Sequence, residues 1–269
     1  MPDYLDKKDL DISNEFKKKG FIVKNIKNKK LLKKLENNLI EAIKSNLNFK
    51  KKISNKLVLN NIHKYLDEKR FNEFRLDIIN KINLSKDFKK NFYLISKFLL
   101  ETLVGNELVM QNKLNLSIQT PKDSSSLLPV HSDVWSGDSP FEIVVWLPFV
   151  DCYNTKSMYI LPQSKYKKFE KNFQRLGKLN SEKVYQFIKK DVQWINIKYG
   201  QMMVFNQTLP HGNRINNEKT TRWSINCRFK SIFSPYGDKK LGEFFEPITL
   251  RVISDLGMQY KLPDIDEKN

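Results

Sequence analysis

Pro129-Val130-His131-Ser132-Asp133-Val134-Trp135-Ser136-Gly137 sets a histidine and an aspartate two residues apart, and Leu209-Pro210-His211 answers it later in the chain. Two imidazoles and one carboxylate are the ligands of a mononuclear non-haem iron(II) centre. They occupy one face of the metal and leave the other open for O₂ and a chelating co-substrate. The chain holds only 3 histidines, so two of them in this arrangement carry weight. A two-residue offset puts His131 and Asp133 on the same side of an extended chain, as two ligands of one ion require. His131, Asp133 and His211 are therefore the candidate catalytic metal ligands. The third histidine, His63, sits among Asn60, Asn61 and Lys64 and reads as structural or exposed.

Around these residues the second half of the chain reads as sheet. Leu108 to Gln119 ends in alternation, with Leu114, Leu116 and Ile118 pointing one way and Asn115, Ser117 and Gln119 the other. Period-two patterning predicts a strand with one apolar and one polar face. Pro121 to Ser126 breaks it as a loop. Phe141 to Val150 and Ser157 to Leu161 are further β-rich runs, and Gly200 opens another at Gln201 to Phe205. The last predicted strand runs from Arg222 to Phe233, with Trp223, Ile225, Cys227 and Phe229 alternating with Arg222, Ser224, Asn226 and Arg228.

That final strand bears on chemistry. Arg222 follows His211 by eleven residues, and Arg222 and Ser224 put a guanidinium and a hydroxyl on one face. A guanidinium binds a carboxylate bidentately, and the hydroxyl adds a donor. An iron site of this type commonly uses 2-oxoglutarate, whose keto-acid end chelates the metal and whose distal carboxylate needs a fixed cation. Arg222 and Ser224 are assigned to that carboxylate, with Gln119 as a further co-substrate partner. Trp135, two residues past Asp133, is read either as lining the substrate mouth or as packing.

Phe141-Glu142-Ile143-Val144-Val145-Trp146-Leu147-Pro148-Phe149-Val150-Asp151, followed by Ser157 to Ser164, resembles the phytanoyl-CoA dioxygenase superfamily. So does Lys198 to Phe205 followed by His211 and Arg222, and Phe16 to Ile26 is similar to the usual start of that family. His131 to Gly137, Asp151-Cys152-Tyr153 and Lys156 to Pro162 are more similar still to the iron(II)/2-oxoglutarate oxygenases of bacterial surface-carbohydrate gene clusters. One departure is Gln163-Ser164-Lys165, where the superfamily often has Gly-Ser-His. The resemblance implies an α+β protein built on a double-stranded β-helix, a cupin-like jelly roll with the metal in its mouth and N-terminal helices packed on the barrel. It also implies that Asp133 is a true ligand, because relatives that halogenate carry a small residue there. The expected chemistry is hydroxylation or another oxidation.

Length and composition are compatible. The 269 residues, 40% of them hydrophobic, suffice for one generous domain, expected to span 1–269. Residues 1–105 are expected to be mainly helical, 106–235 to form the jelly roll and 236–269 to extend it. In the helical part Leu31, Leu35, Leu39 and Ile43 form one apolar stripe. A second helix is expected over 91–103, with Phe92, Leu94, Ile95 and Phe98 to Leu100 facing the core. No apolar run approaches the ~18 residues a membrane span needs, Met1 to Lys8 lacks a secretory core, and the cytoplasm is the default compartment. The 2 cysteines lie far apart, which disfavours a disulfide scaffold or a zinc knuckle.

The net charge of +18 raises a competing reading, a basic nucleic-acid-binding protein with an inactive cupin barrel. The lysines are scattered in short clusters (Lys17 to Lys19, Lys27 with Lys29 and Lys30, Lys50 to Lys52, Lys189 and Lys190) without any nucleic-acid motif, so no specific nucleic-acid partner is expected. The favoured expectation is an Fe(II)-, 2-oxoglutarate- and O₂-dependent dioxygenase acting on a small molecule: a sugar, nucleotide sugar or glycan intermediate of surface-polysaccharide synthesis. An acyl chain or an amino-acid-like metabolite is the alternative substrate. Substrate loops are expected at 122–128 and 172–190.

Overall fold

Helices fill the first part of the chain and strands dominate the second. A computed structural model describes residues 4–47 and 54–261. The Lys50 to Lys52 cluster and the last eight residues of the expected C-terminal extension lie outside them. Helices α1 (Lys7–Lys19), α2 (Lys29–Lys44), α3 (Asn55–Asn61), α4 (Glu68–Leu84) and α5 (Lys86–Leu103) come first, with strand β1 (Phe21–Asn25) after α1. Strands β2 (Leu108–Gln111), β3 (Asn115–Gln119), β4 (Ile143–Pro148) and β5 (Met158–Ile160) follow. Helices α6 (Gln163–Glu170), α7 (Phe173–Leu176) and α8 (Ser181–Ile188) precede β6 (Gln193–Trp194), β7 (Gln201–Asn206), β8 (His211–Asn213), β9 (Arg222–Ser231), β10 (Phe245–Thr249) and α9 (Val252–Gln259).

The early helices start where the sequence supplies caps. Asp6, Asn28, Ser54, Asp67 and Ser85 each accept a hydrogen bond from the backbone N–H three residues on, satisfying a donor the helix leaves open. Helix α1 stops at Gly20, whose φ of +78° reverses the chain into β1. A Cβ at that position would run into Leu209.

The strands form two antiparallel sheets. The larger has the order β1-β7-β4-β9-β2-β10, with β3 also on β9; the smaller has the order β6-β5-β8. Strand β9 is the spine, pairing β3 with its first half, β2 with its second and β4 along most of its length. Register sorts its side chains. Ser117 lies opposite Ser224, Gln119 opposite Arg222, Asn226 opposite Trp146 and Arg228 opposite Val144, all on the face turned inward. Leu116, Ile118, Val145, Leu147, Trp223, Ile225, Cys227 and Phe229 occupy the other face and join one apolar cluster with Leu35, Leu39 and Ile43 of α2. The polar face predicted for β3 and β9 is thus an interior wall, and the apolar face is the floor on which the helices sit. Trp223 shows the tie: it is fully buried, its indole N–H donates to the Leu59 carbonyl at 2.9 Å, and its ring meets Phe74 edge-on at 6.3 Å.

Several expectations are corrected. The stretch 108–119 is two strands, β2 and β3, not one. The sheet also takes β1 and β10 from outside 106–235, because β7 and β2 would otherwise present open edges. Leu94 and Phe98 are not core residues; they are 40% and 36% exposed. A helical turn of ~100° per residue places Phe88, Phe92, Ile95 and Leu99 on the buried face and turns Leu94 and Phe98 away. Residues 172–190 are largely helical, as α7 and α8, and pack under the smaller sheet through Leu176, Val184 and Ile188. His131 is extended, but Asp133 opens a short 3-10 turn, Asp133–Ser136.

Replacing Trp223 with alanine leaves a cavity at the helix–sheet contact and removes the tie to α3. The expected loss is about 3–5 kcal/mol of stability, read as a lower urea midpoint with an unchanged slope.

Candidate metal centre

Two backbone hydrogen bonds bring the histidines together: the His131 N–H donates to the His211 carbonyl at 2.9 Å, and the His211 N–H returns the bond at 2.8 Å. Residues paired this way in an antiparallel bridge lie directly opposite and project to the same side. The imidazoles accordingly stand 4.3 Å apart between centroids. Asp133 is then brought in by its own N–H, which donates to the Gln207 carbonyl at 3.1 Å. The Ser132 hydroxyl lies 3.1 Å and 3.0 Å from the Gln207 and Thr208 carbonyls, so it serves the turn and takes no part in the chemistry. Gly212 beside His211 admits no side chain, because a Cβ would come within 2.8 Å of the Leu128 carbonyl and the Tyr159 hydroxyl.

The ring nitrogens are sorted by the same backbone. Nδ1 of His131 lies 2.8 Å from the Pro129 carbonyl, and Nδ1 of His211 lies 2.9 Å from the Leu209 carbonyl. A carbonyl only accepts, so each Nδ1 carries the proton and each Nε2 offers its lone pair. Both Nε2 atoms face Asp133 Oδ1, at 3.5 Å and 3.8 Å. One ligand atom from each of the three residues lies within 4.8 Å of the others. This donor set suits a divalent metal such as Fe(II).

The protonation of His211 agrees with that role. Burial and the neighbouring His131 pull His211 down to about 4, so its imidazole is neutral near pH 7. Burial also pulls on His131, but its hydrogen bonds to Asp133 and Pro129 outweigh it and the net shift is upward. Burial alone would raise Asp133; the His131 hydrogen bond and the charges of His211 and Arg228 hold it well below the usual carboxylate range.

Arg228, unassigned in the sequence reading, completes the centre. Its Nη2 pairs with Asp133 Oδ2 at 2.9 Å, leaving Oδ1 to the histidines. Its Nε donates to Gln207 Oε1 and its Nη1 to Gln111 Oε1, both at 3.1 Å, and Asp138 lies 3.3 Å from Nε. The guanidinium is thereby fixed on several sides, which makes Arg228 a positioning residue for the carboxylate. Its parity with Arg222 and Ser224 along β9 was the signal that could have found it.

The triad lines a cavity of about 380 Å³, together with Arg222 and Ser224. Arg222 is 3% exposed; Nη2 donates to Ser117 Oγ at 2.9 Å, while Nε, Nη1 and the Ser224 hydroxyl have no partner. Burial lowers its pKa to about 10, which leaves it charged near pH 7. Gln119 shares this face, but its amide nitrogen donates to the Arg214 carbonyl at 2.6 Å, and it is absent from the cavity wall. Trp135 is also absent from that wall: 42% exposed, it packs against Phe169 and Phe173 at 5.9 Å and 5.8 Å. Of the two segments expected to be substrate loops, Ser125 to Leu128 line the cavity and 172–190 do not. His63 sits apart from the centre, with Nδ1 2.8 Å from the Thr221 hydroxyl.

No protein-family model and no curated protein matches the chain. Solved structures do. The non-haem monooxygenase ThoJ, without metal, aligns over 89% of this chain and 84% of its own, with TM-score 0.59 and 13% identity. EctD from S. alaskensis, with 2-oxoglutarate and 5-hydroxyectoine, aligns over 88% and 80% with TM-score 0.52 and 12% identity. HygX from Streptomyces hygroscopicus, with nickel and 2-oxoglutarate bound, aligns over 88% and 90% with TM-score 0.50 and 11% identity. The chain therefore has the helix-plus-antiparallel-sheet fold of non-haem oxygenases, and its His131, Asp133 and His211 are arranged as a possible metal site.

Replacing Arg228 with glutamine frees Asp133 Oδ2 and leaves Gln111 and Gln207 without their donor. Affinity for Ni(II), measured by calorimetry on the metal-free protein, is expected to fall about 10- to 100-fold, as for other residues that orient a metal ligand. Asp133→Ala is expected to abolish tight binding.

Proposed function

We propose that this protein is an Fe(II)- and 2-oxoglutarate-dependent oxygenase of a small molecule, with the phytanoyl-CoA dioxygenase-like architecture its sequence suggests. In this reading residues 1–269 form one domain, and the two sheets are the walls of a jelly roll. The observation that carries it is Arg222. A buried, charged guanidinium without an acidic partner is costly, and this one shares its cavity with a metal-type triad. A dicarboxylic co-substrate that reaches both would supply the missing anion.

His131, Asp133 and His211 hold the metal, with Arg228 steadying the carboxylate. Arg222 Nε and Nη1 and the Ser224 hydroxyl receive the distal carboxylate of 2-oxoglutarate, while Gln119, bonded to the Arg214 carbonyl and away from the cavity wall, takes no part. When bound, iron and 2-oxoglutarate together activate O₂ to oxidise a substrate C–H bond. Val144, Trp146, Met158 and Phe205 line the cavity and exclude water around the reacting groups. Asp133 at the ligand position favours hydroxylation or a related oxidation. The substrate is proposed to be a sugar, nucleotide sugar or glycan intermediate, with an acyl or amino-acid-like metabolite as the alternative, and the cytoplasm as the place of action.

Anaerobic protein supplied with Fe(II), 2-oxoglutarate and then O₂ is expected to form succinate slowly even without its substrate, and Asp133→Ala to form none. Arg222→Gln is expected to raise the KM for 2-oxoglutarate by about two orders of magnitude, the usual scale for losing a buried charged partner. Absence of both succinate and 2-oxoglutarate binding would overturn the assignment.

A further inference from the structure

Three arginines line the cavity that holds the triad: Arg75, Arg222 and Arg228. Arg228 is committed to Asp133 and the two glutamines, and Arg222 belongs with Ser224 at the co-substrate end. Arg75 remains. It comes from α4, on the opposite side from the β9 arginines in sequence and in origin. Its Nη2 donates to Asn72 Oδ1 at 2.8 Å, its Nε is buried without a partner, and no carboxylate among the described residues pairs with it. The Ser126 hydroxyl, on the loop that covers the same cavity, is likewise buried and unpartnered.

Arg75 also stands at a junction. Together with Ser125 it lines a second cavity of about 620 Å³, whose wall includes His63, Phe71 and Lys122. The acids of that second cavity are already engaged. Asp67 caps α4 through the Arg70 N–H at 2.8 Å, and Asp123 accepts from the Ser125 N–H and hydroxyl at 2.8 Å and 2.7 Å. Arg75 thus offers donors to the wall the two cavities share, and no carboxylate among the described residues pairs with it.

We propose that Arg75 determines specificity for the primary substrate by taking an acidic group, a carboxylate or a phosphate, with the Ser126 hydroxyl as a second donor. The reacting C–H bond then lies on the metal side of Arg75, and the rest of the substrate extends past it into the second cavity. This rests on the oxygenase reading, because only a co-substrate at Arg222 leaves Arg75 for the substrate. A planar fork suits either anion and discriminates against an uncharged analogue, for which its donors would stay unpaired.

The test uses the full chain loaded with Ni(II) and saturating 2-oxoglutarate, so that the Arg222 end is filled. Inorganic phosphate and acetate are titrated in separate arms and followed by calorimetry, in wild type, Arg75→Gln and Arg75→Lys. Wild type is expected to bind at least one of them, and whichever binds names the acidic group. Arg75→Gln is expected to weaken that binding about tenfold or more, and Arg75→Lys to fall between, since it keeps charge but loses the fork. Affinity for 2-oxoglutarate should be the same in all three, which also shows that the variants are folded. Binding of neither anion by wild type, or equal binding by wild type and Arg75→Gln, overturns the proposal. So does a loss of 2-oxoglutarate affinity in Arg75→Gln, which would place Arg75 in the co-substrate site. Failure of wild type to bind 2-oxoglutarate at all is a different result and strikes the oxygenase assignment itself.

Discussion

The pair of backbone hydrogen bonds between His131 and His211 is the constraint from which the rest of the centre follows. It joins two segments eighty residues apart in the chain and sets both imidazoles on one side of the bridge. The carbonyls two residues back, Pro129 and Leu209, then fix which nitrogen of each ring is free. Asp133 leaves the extended path for a turn because its N–H is taken by Gln207. The positions of the three candidate ligands are thus set largely by main-chain bonding. The absence of a side chain at Gly212 is what allows the Leu128–Pro129 backbone to approach closely enough for this arrangement.

The inward face of β9 shows two ways of burying an arginine. Arg228 is surrounded by acceptors and has little left to offer a ligand. Arg222, six residues earlier on the same face, keeps two guanidinium nitrogens unpaired. Buried polar groups are normally satisfied, so the contrast separates a fully engaged cation from one that keeps unpaired donors. Composition cannot make that distinction, because both residues have the same parity on the same strand.

Much of the centre was legible because strands translate sequence spacing directly into sidedness. The choice of His131, Asp133 and His211 as candidates came from metal-ligand chemistry, and the shared face of Arg222 and Ser224 from the two-residue period; Asp133 reaches the histidines from a 3-10 turn, not from the extended path that period assumes. The helical stripe of Leu35, Leu39 and Ile43 was legible for the same reason, with a different period. Elsewhere apolar type was given more weight than helical period. Leu94 and Phe98 are apolar yet face outward, with Phe98 covered by the ammonium groups of Lys8 and Lys27 at 4.0 Å and 5.3 Å. Of the two readings of Trp135, packing is the one realised, against Phe169 and Phe173. Arg75 left no trace at all, since one basic residue on a polar helix resembles any other until the fold brings it to the cavity wall.

The Asp133–Arg228 contact has a bearing on how the candidate site is held together. In many metal sites the ion is needed to cancel the charge of its ligands, so the empty site repels itself and the surrounding chain loosens. Here the single ligand carboxylate already faces a cation, and the two remaining ligands are imidazoles, one of them held neutral by burial. Arg228 in turn lies 3.3 Å from Asp138, which pairs with Lys239, so opposite charges alternate outward from Asp133. The three candidate ligands are thus held by bonds internal to the protein: Asp133 by Arg228 and the Gln207 carbonyl, and each imidazole by a backbone carbonyl two residues back.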